Sequence, residues 1–132
     1  MSRARWAVFA YHTFGARALE ALLARDEQVV GVVTHADDPS ESDWFDSVAD
    51  VARTHRLPLF TPSSPNLPVI VETLRALEPD VILSVWYRRL LGADLLAVPR
   101  IAALNLHGSL LPAYRGRAPV NWVLVNGERR TG

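Results

Sequence analysis

The sequence contains no cysteine. Disulfides, thiolate nucleophiles and cysteine-based zinc sites are therefore excluded. Lysine is missing too, because all 14 basic side chains are arginine. Schiff-base chemistry and the lysine of a phosphate-binding loop go with it. No apolar run reaches the ~20 residues a helix needs to cross a bilayer, so membrane insertion is not expected. The opening Met1 to Trp6 enters a strand-like stretch without a signal-peptide core, which points to the cytoplasm. Charge of one sign is not in excess either: 14 basic groups face 14 acidic ones. A net charge of zero gives no support to non-specific nucleic-acid binding. The turn Ala10 to Gly15 (AYHTFG) lacks G-x-G-x-x-G, which argues against a nicotinamide or flavin dinucleotide.

What remains is an ordinary globular composition, 49% hydrophobic and 21% charged over 132 residues, enough for one domain. Strand and helix signals alternate along it. Trp6–Ala10 is a short apolar run, followed by a polar turn Tyr11-His12-Thr13. Ala18, Leu19, Leu22 and Leu23 then share one helical face. Gln28–Thr34 is β-branched and reads as a buried strand, and 35–43 reads as a loop around Pro39. The spacing predicts a second helix from near Ser42, with Trp44, Val48, Val51 and Ala52 on its apolar side. A short strand at Leu57–Thr61 and a third helix through Ile70, Leu74 and Leu77 follow. Glu78-Pro79 stops that helix, since proline disfavours helix just before it. Asp80–Val85 is the clearest central strand. A short helix at Ala93–Ala97, a strand at Ala102–His107 and a helix from Ala118 to Val125 complete the pattern, which Asn126-Gly127 terminates. Interleaved strands and helices imply crossovers and a Rossmann-like α/β fold, a parallel sheet flanked by helices. In such sheets ligands bind beyond the carboxyl ends of the strands. Those ends carry Tyr11 and His12, Thr34 and His35, Ser84 to Arg89, and Asn105 to His107.

Charge is unevenly placed. After Asp94 the only carboxylate is Glu128, against Arg100, Arg115, Arg117, Arg129 and Arg130. Such a surplus suits carboxylates or phosphates, which the guanidinium fork binds bidentately. For Arg100, Arg129 and Arg130 the expected role is that of ordinary surface arginines. Within Ala102–His107, alternation puts Ala103, Asn105 and His107 on one face, and Leu104 and Leu106 on the other. Two polar side chains on an apolar strand need partners if buried. Followed by a proline- and glycine-bearing loop, they mark a site.

The segment Asn105-Leu-His107-Gly-Ser109-Leu-Leu-Pro112 resembles the signature Asn-x-His-x-Ser-Leu-Leu-Pro of the 10-formyltetrahydrofolate-dependent formyltransferases. The continuation Tyr114-Arg-Gly-Arg117-Ala-Pro-Val-Asn-Trp122 is similar to the UDP-4-amino-4-deoxy-L-arabinose formyltransferases. So are Phe9-Ala-Tyr-His12, Thr34-His35 and Tyr87-Arg-Arg-Leu-Leu91. The resemblance implies formyl transfer from 10-formyltetrahydrofolate, without a metal, to the amine of a nucleotide-linked amino sugar, as in lipid A modification. Methionyl-tRNA formyltransferase and a non-catalytic folate- or nucleotide-binding module are the rival readings. Amine attack on the formyl carbon builds negative charge on its oxygen. An amide at Asn105 suits that oxygen, a contribution worth ~3 kcal/mol in comparable sites. A histidine titrates near neutrality and suits the proton transfers. The resemblance gives these catalytic roles to Asn105 and His107.

By the same resemblance Arg89, Leu90 and Leu91 lie along the pterin, and Arg117 lies near the donor. Core packing is the other reading of Leu90 and Leu91, and loop support the other reading of Arg115. Ser109 fits loop hydrogen bonding, since G-x-S-x-G is absent. Tyr11, His12 and Thr34 stand where a nucleotide sugar would bind, though His12 also suits capping of the first helix. The family's catalytic aspartate falls beyond Thr131-Gly132. The expectation is therefore that residues 1–132 form an incomplete amino-terminal formyltransferase domain with little or no transfer on its own. Oligomeric state is left open.

Overall fold

The computed structural model describes residues 3–41 and 44–132. Five strands and five helices alternate: β1 (Arg5–Ala10), α1 (His12–Ala24), β2 (Gln28–Val33), α2 (Val48–Thr54), β3 (Leu59–Phe60), α3 (Pro68–Ala76), β4 (Val81–Val85), α4 (Ala93–Leu96), β5 (Ala102–Leu106) and α5 (Pro119–Val125). The strands form one sheet in the order β3-β2-β1-β4-β5, and every pairing is parallel. This is the expected Rossmann-like α/β architecture. The order reverses between β1 and β4, the switch point at which sheets of this kind place their ligand crevice.

Alternation along the strands splits the core into two layers. Val8, Ala10 and Val32 pack with Ala16 and Leu19 of α1 and with Val48 and Ala52 of α2. Ala7, Phe9, Val33 and Ile82 pack on the opposite face with Val71 and Leu74 of α3 and Leu95 of α4. An irregularity between Trp6 and Ala7 shifts the register against β2. It explains why Val29 and Val32, three residues apart, reach the same layer.

The termini of the helices follow local chemistry. Ser47 caps α2 by accepting the Asp50 amide at 3.1 Å. Pro68 opens α3 where a missing amide hydrogen costs nothing. Asp80 ties the amino ends of three strands together. Its carboxylate accepts the Arg5 amide (2.8 Å) and Arg100 Nε (2.8 Å), and its carbonyl accepts the Ile101 amide (2.8 Å).

Two expectations are corrected, and a third is not tested. The predicted start of the second helix, near Ser42, lies outside the described residues. Trp44 precedes α2 and is 77% exposed, so it does not contribute to that helix's apolar side. The first turn is shorter than its polar residues suggest, because α1 starts at His12. Among the described residues, no helix is long and apolar enough to cross a membrane.

Candidate functional site

β5 ends at Leu106, which sets Asn105 one position before the end of the strand and His107 one position beyond it. Asn105 is in register with Ser84 of β4, and Ser84 with Phe9 of β1. Residues in register on parallel strands share a face, so Asn105 belongs to the α3/α4 side. Asn105 is exposed rather than buried. Among the described residues only β4 flanks β5. The Asn105 amide is thus open to solvent and needs no protein partner.

His107 is half-buried, with Nε2 at 3.0 Å from the Tyr114 carbonyl. A carbonyl only accepts, so Nε2 carries the hydrogen and a neutral ring keeps its lone pair on Nδ1. Among the described residues no hydrogen bond reaches Nδ1. The loop supplying that carbonyl is stapled internally. Ser109, buried, donates to the Ala113 carbonyl (2.7 Å), in keeping with a loop role. Leu111-Pro112 is cis, and Tyr114 and Ala118 occupy the left-handed region at φ 56° and 51°. The left-handed conformation at Tyr114 and Ala118 costs about 1–2 kcal/mol per residue outside glycine. Leu110 and Leu111 stay exposed. Arg117 lines a cavity after β5 with Tyr114, Arg115 and Trp122.

The segment after β4 divides its two leucines. Leu91 packs into the α3/α4 core layer, while Leu90 is 91% exposed. The Asn66 side chain clamps the backbone between them, donating to the Leu90 carbonyl (3.0 Å) and accepting the Gly92 amide (2.7 Å). Beside it Arg89 is exposed, with no hydrogen bond or ion pair among the described residues.

At the β1/β4 crevice the side chains are already engaged with one another. Tyr11 is 3% exposed; its hydroxyl donates to Glu41 (3.2 Å), and the Arg88 guanidinium lies 4.5 Å above its ring. Arg88 also holds Glu41 (3.1 Å), and its backbone amide donates to His35 Nε2 (3.0 Å). His35 stacks on Tyr87 at 4.3 Å. Burial first, then the charges of Arg88 and Arg89, push the His35 ring below the usual histidine value. His12 stacks on Phe45 (4.2 Å) and leans on Trp86 (5.5 Å), with φ at 64°. It does not cap α1: that helix has no side-chain cap, and among the described residues His12 Nδ1 is buried without a partner. Burial, then Arg88, lowers its pKa as well. Thr34 Oγ1 and the Tyr87 hydroxyl are also buried with no partner among the described residues. Sequence reasoning reached Tyr11, His12 and Thr34 but missed Glu41 and Asn66. Both lie in polar loops without periodicity, where nothing local marks a partner 30 or 24 residues away.

The sequence profile of the family described as formyl transferase matches residues 4–132. The chain belongs to the formyl transferase family. Solved structures agree with that membership at the level of fold. Phosphoribosylglycinamide formyltransferase from Bacillus halodurans is 22% identical with a TM-score of 0.78, over 97% of this chain and 68% of that one. Glycinamide ribonucleotide transformylase 1 from Geobacillus kaustophilus is 27% identical with a TM-score of 0.77, over 99% and 72%. A formyltetrahydrofolate deformylase from Pseudomonas syringae pv. tomato is 18% identical with a TM-score of 0.73, over 96% and 43%. The chain thus spans part of the length of each of these family structures. Its fold places Asn105 to Pro112 at the carboxyl rim of β5.

Proposed function

We propose that this chain carries the formyl-donor site and the amine-acceptor rim of an enzyme that formylates a UDP-linked amino sugar, of the 4-amino-4-deoxy-L-arabinose type. The observation that carries the reading is Asn105-x-His107-x-Ser109-Leu-Leu-Pro112 at the end of β5, in a chain matched over residues 4–132 to the formyl transferase family. The sugar acceptor is supported by the sequence Tyr114 to Trp122. 10-Formyltetrahydrofolate supplies the formyl group, and the ledge at Arg89, Leu90 and Leu91 is the surface that suits its ring. Arg117 stands near the donor, and Tyr11, His12 and Thr34 stand on the acceptor side.

The chemistry assigned to the chain's own groups is limited. The exposed Asn105 amide donates to the formyl oxygen as charge builds there. Nδ1 of His107 takes the proton released by the attacking amine and returns it to the folate nitrogen as that nitrogen's bond to the formyl carbon breaks, because Nε2 is committed to the Tyr114 carbonyl. The ring is thereby oriented through a backbone carbonyl on its far side.

The test compares three acceptors with the full-length polypeptide: a UDP-4-amino sugar, glycinamide ribonucleotide and aminoacylated initiator tRNA. Mass spectrometry of the products should show the N-formyl UDP-sugar. The names of the solved relatives favour the ribonucleotide as second reading, and its exclusive formylation would replace the sugar assignment. No product from any acceptor, alongside intact binding of 5-formyltetrahydrofolate, would leave a binding module only.

A further inference from the structure

The segment that follows β4 is gripped from two sides. From the connection between β3 and α3, Asn66 holds the backbone of Leu90 and Gly92. From the end of β2, His35 Nε2 accepts the Arg88 amide at 3.0 Å. An acceptor at Nε2 requires a neutral ring with its hydrogen on Nδ1, the tautomer opposite to that of His107. The His35 ring is fixed by its neighbours. It lies flat on Tyr87 (4.3 Å, 11° between planes) and meets the Tyr11 ring edge-on at 5.1 Å. Tyr87 in turn packs edge-on against the buried Phe9 of β1 at 5.4 Å. The gripped segment also begins at a strained point, since Trp86 takes the left-handed region at φ 57°. Side chains resist that conformation, which persists where surrounding contacts over-determine it.

The charges around the ring decide what a proton would do there. Burial first, then Arg88 and Arg89, disfavour the imidazolium. The carboxylates on the loop that follows His35 are committed elsewhere. Glu41 holds Arg88 (3.1 Å) and accepts the Tyr11 hydroxyl (3.2 Å), Asp37 accepts Ser47 (2.6 Å), and Asp38 accepts Ser40 (2.7 Å). Tyr11 and Tyr87, the other titratable groups against the ring, are pushed up by burial and stay neutral. A protonated His35 would therefore turn an Nε2 hydrogen toward the Arg88 amide, donor against donor, and add a third positive charge beside two arginines.

We propose that His35 is a positioning residue for the ledge after β4: neutral, it holds Arg88 to Leu91 in the shape that receives the donor's ring, and protonated, it releases that segment at the Arg88 end. The Asn66 grip carries no titrating group, so the Leu90 and Gly92 end stays held. The inference rests on the functional reading for the folate that the ledge receives, and on the bond between His35 and Arg88 for the latch itself.

Two measurements test it. Long-range proton–nitrogen NMR spectra of the unaltered protein at about pH 8, where histidine is neutral, should show the His35 hydrogen on Nδ1. As pH is lowered, the Arg88 amide resonance should move with the same midpoint as the His35 ring. Calorimetric titration with 5-formyltetrahydrofolate should then give an affinity that falls about three- to tenfold as pH drops through that midpoint, the effect of losing one net hydrogen bond. His35→Phe keeps a ring on Tyr87 but accepts nothing. It should bind about three- to tenfold more weakly at about pH 8 and lose no more through the midpoint. His35→Gln has an amide oxygen that accepts at every pH, so it should restore most of the affinity and keep it as pH falls. Circular dichroism verifies that each variant is folded. A ring with its hydrogen on Nε2 at high pH, an Arg88 amide indifferent to the His35 midpoint, or equal folate affinity in His35→Phe and the unaltered protein overturns the proposal. If the Arg88 amide follows His35 while the folate binds at no pH, the latch stands and the donor reading of the ledge falls.

Discussion

Asn105 and His107, the two residues proposed to act on the formyl group, meet different surroundings. Asn105 is exposed on an edge strand, so its truncation leaves no buried group stranded and little cost in stability. Asn105→Ala should lower kcat by about 10²–10³-fold, the usual result of removing one oxyanion donor. KM should change little, since the bond strengthens only as charge develops. Steady-state kinetics of the full-length polypeptide measure both. An equal rise in KM at constant kcat would instead make Asn105 a substrate-binding group. The tautomer of His107 is set by a backbone carbonyl, which no substitution at Tyr114 removes directly.

At the scale of elements, the close seating of α1 on β1 depends on Gly15. A Cβ there would stand 2.9 Å from the Ala10 side chain and 3.1 Å from Val48. Gly15→Ala should therefore destabilise the fold by about 1–3 kcal/mol through overpacking, despite the ~1 kcal/mol that alanine contributes in an open helix. Urea denaturation gives the sign directly; a stabilised variant would mean that the helix shifts freely. The ledge after β4 depends on Asn66 in the same way. Asn66→Ala removes its bonds to Leu90 and Gly92 and should cost about 1–2 kcal/mol. It should also weaken 5-formyltetrahydrofolate binding by calorimetry, whereas unaltered binding would place the folate elsewhere.

The molecule as a whole should respond to pH through two sets of groups. His12 and His35 have pKa values lowered by burial and by Arg88. The unfolded chain therefore takes up these protons first. Stability should fall as pH drops below about 6.5, the unfolded histidine value. Protonation also converts His35 Nε2 from acceptor to donor and breaks its bond to the Arg88 amide. Asp80 acts at lower pH. The Arg5 amide, then Arg100, hold its carboxyl below the usual value, so its contribution is present above the unfolded carboxylate value and is lost as pH falls toward the folded one. Chemical denaturation from pH 8 to pH 3 should show both phases. His35→Gln should flatten the upper phase and Asp80→Asn the lower.

The order of elements and the Asn105/His107 pair were legible in the sequence because both are local. Apolar periodicity of two or 3.6 residues, proline stops and a contiguous signature need no distant partner to be read. The start of α1 was blurred by polar residues at 11–13, where tertiary packing of His12 on Phe45 and Trp86 overrode the turn signal. Trp44 was misplaced for the converse reason: helical spacing continued past the helix into a segment that the Thr13 hydroxyl holds by accepting the Asp46 amide at 3.1 Å.

By itself the sequence determined the alternating α/β pattern, the strand ends where chemistry gathers, and the family signature. Only the folded chain decided the order β3-β2-β1-β4-β5, the exposure of Asn105, the nitrogen of His107 left free, and the pairing of Glu41 and Asn66 with residues far along the chain. The reason is physical: periodicity fixes which face of an element is apolar, but which elements become neighbours depends on closing loops whose cost and geometry no local window contains.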